Sequence, residues 1–280
     1  MTLGTALRAV LGIALLTAMD AVIKAQMLQH PFLLALFMRF AMGAVCALAV
    51  VAVLRPPAPT RASVIGNSAR IPIVILTAGS FFYSVSVLPL AEALTLSFLA
   101  PVFVALLGAL ILKERLDGRI LHALGFGLAG MLVMVWPRLH GGVTGAELGV
   151  AAALFSALSY AFNLILLRRI AVKEHPAIIV LFQNAGPALC LAWPASRALQ
   201  PMSGGDLLAY LGAGALGVAG HFALTSAFAR APASRLAPIE YTALVWASLL
   251  GWFVFGEAPL WTTYAGALLI IAGAFAVSRR

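Results

Sequence analysis

The sequence predicts an all-α integral membrane protein: ten transmembrane helices, arranged as two inverted five-helix repeats, with the N-terminus and C-terminus both cytoplasmic. Composition, a series of bilayer-length apolar stretches and a self-match at fixed shift carry that prediction. Of 280 residues, 63% are hydrophobic and 10% charged, with a mean hydropathy of +1.05, whereas soluble domains are about a quarter charged. A spanning helix needs ~20 apolar residues, because a rise of ~1.5 Å per residue must cover ~30 Å of hydrocarbon.

That length rule gives spans at 6–27, 32–54, 70–88, 91–112, 119–136, 147–167, 176–194, 206–228, 234–255 and 261–278. Span 1 follows Arg8 as a signal peptide would, but it lacks a small-residue cleavage site and is expected to stay as a helix. Span 2 ends at "RPPAPT" (55–60), and Pro89 separates spans 3 and 4. Span 4 ends in "KER" (113–115), span 5 before "RLHGGVTG" (138–145), and span 6 at Arg168 and Arg169. "PMSGGD" (201–206) divides spans 7 and 8, and Pro232 and Pro259 precede spans 9 and 10. No stretch remains for a soluble domain.

The net charge of +9 is a matter of topology. With a cytoplasmic N-terminus, fourteen of the Lys and Arg residues, Arg70 among them, fall on the cytoplasmic side, and Arg138 and Arg197 fall outside. That is the positive-inside pattern, and it leaves no basic patch for nucleic acid. Cys46 and Cys190 sit alone in spans 2 and 7, so neither a disulfide framework nor a metal pair is expected.

Shifted by 143 positions, Pro89 meets Pro232, Gly108 meets Gly251, Glu114 meets Glu257 and Gly130 meets Gly273. Glutamate occurs six times in the chain, so its match carries more weight than any Ala or Leu. "HPFLLALFMRF" (30–40) matches "HPAIIVLFQNA" (175–185) at a shift of 145. The repeats are expected over 1–140 and 141–280. Five spans each make the second half enter the membrane from the opposite side, an arrangement that puts a binding site near the midplane. Glu114 and Glu257 then end spans 4 and 9 on opposite faces, where they are expected to organise turns.

Two five-span halves of this pattern resemble the EamA type of the drug/metabolite transporter superfamily. The resemblance rests on "VLPLAEALTLSFLAPVFVALLGALILKERL" (87–116) and its second copy "ARAPASRLAPIEYTALVWASLLGWFVFGEAPL" (229–260). Arg39 and Lys24 match family positions in spans 2 and 1, while Met19-Asp20 stands where the family often has Trp-Gly. The resemblance covers essentially the whole chain. It implies ATP-independent movement of a solute across a bacterial inner membrane and suggests kinship with aromatic amino acid exporters.

Polar residues inside the spans are the candidate site, since each costs several kcal/mol in hydrocarbon and needs a partner or a task. Counting along the helices puts Asp20 ~20 Å up span 1 and Arg39 ~10 Å down span 2, at matching depth. Lys24 lies one turn from Asp20 on the same face. This outer cluster is either a structural ion pair or an outer gate and carboxylate ligand, and Lys24 can also snorkel to the surface. Nearer the inner face, Tyr160 and Asn163 (span 6) and Gln183 and Asn184 (span 7) either bind solute weakly or glue helices. Stripes of small or polar residues mark span 4 (Ser97, Pro101, Ala105, Gly108) and span 9 (Glu240, Ala247, Ser248, Gly251), with Glu240 at the position equivalent to Ser97. His221 falls near the midplane of span 8, as a packed histidine or a proton carrier. Phe81, Tyr83, Tyr241 and Trp246 are expected to wall the site. The solute is expected to touch Tyr83, His221, Tyr241 and Trp246, with Asn163, Gln183 and Asn184 on its inward path. Asp20, Lys24, Arg39 and Glu240 are expected to gate or couple.

No phosphate loop, metal-ligand motif or nucleophile–base set is present, so the expectation is a carrier, with no cofactor, no metal and no enzymatic activity. Its expected partners are the lipid bilayer and a small solute, an amino acid or related amphipathic metabolite, with the chain acting as a monomer. The alternatives are a lipid-headgroup flippase and, behind it, an intramembrane enzyme or a channel.

Overall fold

Helix ends fall where the chain supplies caps or stops. The computed structural model describes residues 2–87, 96–97, 99–114, 116, 118–139, 147–255, 261–262, 264–266, 268–269 and 272. Thr2 Oγ1 caps α1 (Leu3–Met27) by accepting the Thr5 N–H at 3.3 Å. Pro31 precedes α2 (Phe32–Leu54), which stops where Arg55 turns left-handed at φ 45°. Next come α3 (Arg61–Val87), α4 (Ala100–Leu112), α5 (Gly118–Leu139) and α6 (Glu147–Ala171). His175 Nδ1 accepts the Ala177 N–H ahead of α7 (Pro176–Ser196), and a reciprocal Ser203–Asp206 capping box starts α8 (Gly204–Phe228). A short helical turn (Ala233–Leu236) leads into α9 (Thr242–Phe255).

Six of these helices, α1, α2, α3, α6, α7 and α8, are long and apolar enough to cross a membrane. Every regular element among the described residues is helical. The expected tenth span lies largely outside them, as do Glu257 and the boundary between 140 and 141.

Two expectations need correction. Helix α3 starts at Arg61 rather than at residue 70, because the chain runs helically through Pro72. The expected ninth span, 234–255, is not one continuous α-helix: residues Ala237–Tyr241 form a 3₁₀ segment before α9. Pro238 lacks an N–H and fixes φ, which favours such a break.

The helices pack in related pairs. Helix α1 lies on α8, and its counterpart α6 lies on α3; α2 lies on α8, and α7 on α3; α4 lies on α6, and α9 on α1. Thus the third helix of each half is lodged against the first two of the other. Helices α2 and α7, each the image of the other, also pack together. They run antiparallel, since Gly43 meets Asn184 while Ala47, further along α2, clusters with Val180, further back on α7. The packing therefore carries an internal two-fold axis that passes between α2 and α7.

Close approach needs glycine at two of these crossings. A Cβ on Gly12 of α1 would lie 2.9 Å from the Gly220 carbonyl oxygen, and one on Gly214 of α8 would lie 2.7 Å from the Met42 carbonyl. Large apolar side chains such as Leu110, Leu189 and Phe253 stay exposed on the outside of the bundle, as lipid contact requires.

Candidate functional site

A cavity of ≈ 250 Å³ lies between the halves. Its lining includes equivalent positions from both repeats: Ile13 with Ser156, Thr17 with Tyr160, Asp20 with Asn163, Ala78 with His221, Ser97 with Glu240, and Ala100 with Ala243. Members of each pair stand 143 residues apart, so the cavity straddles the two-fold axis.

The first-half wall is charged and loosely engaged. Asp20 and Lys24 sit one turn apart on α1, and Arg39 faces in from α2. Arg39 is 8% exposed, and its buried Nε has no hydrogen-bond acceptor among the described residues. Its guanidinium rests 4.5 Å over the Phe40 ring. No ion pair closes between Asp20 and Arg39 within 4.0 Å.

The second-half wall is hydrogen-bonded through. Arg70 of α3, 2% exposed, donates from Nε to Asn163 Oδ1 at 3.0 Å and from Nη2 to Gln183 Oε1 at 3.2 Å. Gln183 Nε2 in turn lies 3.1 Å from His221 Nδ1 and donates to the imidazole. This relay joins α6, α3, α7 and α8. Tyr160 donates its hydroxyl to Glu240 Oε2 at 3.1 Å, while Glu240 Oε1 is buried without a partner among the described residues. Glu240 sits in the 3₁₀ segment at the cavity wall.

Of the residues singled out from the sequence, Asp20, Lys24, Arg39, Asn163, Gln183, His221 and Glu240 line this one cavity. Depth counted along upright helices puts the charged trio and the amides in opposite thirds of the bilayer; a single cavity on the two-fold axis takes in Asp20, Lys24 and Arg39 together with Asn163 and Gln183. Asn184 lies beside it, with its amide over Gly43 and its Nδ2 bonded to the Val180 carbonyl at 2.8 Å. Tyr83 is 40% exposed on the outer side of α3, whereas its neighbours Phe81 and Phe82 face the cavity. Tyr241 is fully buried in the core, its ring against Gly127, and Trp246 packs on the same core. Neither of them lines the cavity. The Glu114 carboxylate accepts the Ala233 N–H at 3.0 Å, tying the end of α4 to the helical turn before the 3₁₀ segment. Glu257 falls outside the described residues.

Arg70 is the residue the sequence hid. Followed by Ile71 and Pro72, it reads as a basic flank at a helix start, among the cytoplasmic charges. It instead stands ten residues into α3, inside the bundle. Asn67, buried one turn earlier on the same helix, was the available sign that the interior begins sooner. No group of three or more His, Cys, Asp or Glu that could hold a metal occurs among the described residues.

Comparison with known proteins accords with this architecture. Residues 4–136 and 147–279 each match the EamA-like transporter family. The pseudopaline exporter CntI of Pseudomonas aeruginosa (strain UCBPP-PA14) is 29% identical over 71% of this chain and 69% of its own length. The riboflavin transporter of Rhizobium johnstonii is 26% identical, covering 75% of this chain and 68% of that protein. For the S-adenosylmethionine uptake transporter of Rickettsia felis the identity is 28%, covering 69% and 64%. A protein of known crystal structure shares the fold, with a TM-score of 0.81 over 98% of both chains at 22% identity. The two-fold packing, the cavity on its axis and the duplicated match lead to one conclusion: the chain belongs to the EamA-like transporter family of the drug/metabolite transporter superfamily, a multi-pass membrane transporter and not an enzyme.

Proposed function

We propose that this transporter is a secondary carrier or facilitator of the bacterial inner membrane, exporting small amphipathic metabolites, amino acids including aromatic ones first, by alternating access. The observation that carries the reading is the cavity itself. It is walled by apolar groups such as Phe81, Phe82 and Val74, with a few polar ones, Arg39, Asn163, His221 and Glu240, set among them. Its ≈ 250 Å³ is slightly below the roughly 300–1,000 Å³ of drug-sized sites, which favours a small metabolite. Relatives bear names of both exporters and uptake carriers, so direction is part of the proposal.

In this reading the chain has ten spans, five in each of 1–140 and 141–280, with both termini cytoplasmic, and works as a monomer. Charge bias favours that orientation. Because the third helices are exchanged, the moving parts are not the two five-span halves: α1, α2 and α8 rock as one body against α3, α6 and α7, with the α2–α7 crossing as fulcrum. The solute runs down its own gradient, or Glu240 and His221 carry a proton against it.

The test is purified protein in liposomes loaded with one amino acid at a time, with and without a pH step. Movement of phenylalanine or another amino acid above empty-liposome leak is the expected result. Rates that ignore the pH step and survive Glu240→Gln and His221→Ala leave facilitated diffusion as the energetics. Lipid scrambling with no amino acid movement overturns the reading in favour of a flippase.

A further inference from the structure

We propose that the wall formed by Arg39, Asn163, Gln183 and His221, backed by Arg70, is a carboxylate subsite, and that Glu240 is the matching ammonium subsite, so the cavity selects zwitterionic solutes by both ends. The inference rests on the reading of this cavity as the transport site.

The argument begins with how Arg70 orients its neighbours. Its guanidinium takes up Asn163 Oδ1 and Gln183 Oε1, so both amides have their acceptor ends turned away. What they have left is donors. Gln183 Nε2 gives one N–H to His221 and keeps the second. Asn163 Nδ2 meets no acceptor among the described residues, and Asn163 lines the cavity. Amides that look ambivalent in the sequence thus present N–H groups only.

Arg39 joins the same wall from α2. It stands one turn before Gly43, which abuts Asn184, the neighbour of Gln183. Its ring contact with Phe40 holds the guanidinium without neutralising it. Among the described residues Arg70 likewise has neutral acceptors, Asn163 and Gln183. Two guanidiniums this deep in an apolar bundle cost several kcal/mol if left without an anion, and a forked guanidinium suits a carboxylate. Asp20 feels the Arg39 charge but closes no ion pair with it within 4.0 Å and has Lys24 beside it, so the guanidinium fork stays available to a solute anion.

Glu240 has the converse deficit. One carboxylate oxygen accepts from Tyr160, and the other is buried with no donor among the described residues. A solute ammonium supplies that donor together with the opposite charge.

The experiment measures binding to the full-length protein in nanodiscs for three probes: phenylalanine, phenylalaninamide (no carboxylate) and 3-phenylpropionate (no ammonium). Both truncated probes are expected to bind at least tenfold more weakly than phenylalanine. Arg39→Gln should erase the difference between phenylalanine and phenylalaninamide, and Arg39→Lys should restore part of it. Glu240→Gln should erase the difference between phenylalanine and 3-phenylpropionate. Arg70→Gln, a positioning change, should weaken phenylalanine and 3-phenylpropionate while leaving phenylalaninamide unchanged. Monodisperse elution of each variant guards against misfolding. Equal binding of the three probes, or a ranking that no variant alters, overturns the proposal. If liposomes then still move amino acids, the transport reading stands without it; if nothing binds and nothing moves, both fall.

Discussion

Helices α8 and α3 hold equivalent places in the two repeats, yet they are seated differently. Helix α8 meets α1 and α2 through glycine: Gly220 against Gly12, Gly214 against the backbone at Met42 and Gly43, Gly217 against Met19. Helix α3 meets α6 and α7 through side chains. Shifted by 143, the Gly43–Gly214 contact becomes Gly186 against Ile71, and the neighbourhood of Gly12 and Gly220 becomes the Ser156 hydroxyl bonded to the Thr77 carbonyl at 2.9 Å. Backbones that touch leave no room between them, whereas a seat built from side chains can hold Arg70 and its amides. Duplication thus supplies a symmetric frame, and the chemistry sits where the symmetry is broken.

Arg70→Ala should produce the largest effect. It removes two charge-assisted hydrogen bonds and strands two buried amides, for an expected loss of about 3 kcal/mol. Thermal unfolding in detergent should show it, with Arg70→Lys less severe. A neutral outcome would mean that the side-chain seat of α3 is not what holds that bundle.

Gly214→Ala comes next. Its new methyl would face backbone rather than a movable side chain, and overpacking of this kind costs roughly 1–3 kcal/mol. Its counterpart test is Gly186→Ala, where the obstacle is Cδ1 and Cγ1 of the Ile71 side chain rather than backbone. The glycine seat should therefore suffer more than the side-chain seat. Equal losses in the same unfolding assay would erase the contrast.

The smallest effect should be that of Ser156→Ala, about 1 kcal/mol for one hydrogen bond that joins α6 to α3. Amide exchange at the Thr77 turn should rise, and no change should reach α8.

Much of this was legible in the sequence because it depends on local rules. Apolar length gave the long helices, and the register of Pro89, Gly108 and Glu114 with Pro232, Gly251 and Glu257 gave the duplication. Asp20, Lys24, Arg39, Tyr160, Asn163, Gln183, His221 and Glu240, picked for their cost in lipid, line one cavity, since burying them elsewhere would be unfavourable. What the sequence withheld depends on three-dimensional packing. Arg70 reads as a flank because "RIP" imitates a helix start. Tyr83 and its neighbours Phe81 and Phe82 differ only in helical phase, which the sequence does not fix relative to a cavity. The exchange of α3 and α8 between halves has no local signature at all.

The central claim is that the cavity on the two-fold axis is the solute's route and opens to each side in turn. It is tested most directly by one reporter cysteine, Ala78→Cys, placed opposite His221 in the repeat and on the cavity lining. Cys46 and Cys190 are first replaced by alanine. The protein is then reconstituted in liposomes with uniform orientation and treated with a membrane-impermeant thiol reagent on one side or the other. The account predicts labelling from both sides, slowed by phenylalanine on either. Labelling from one side only, unaffected by solute on the other, would contradict it.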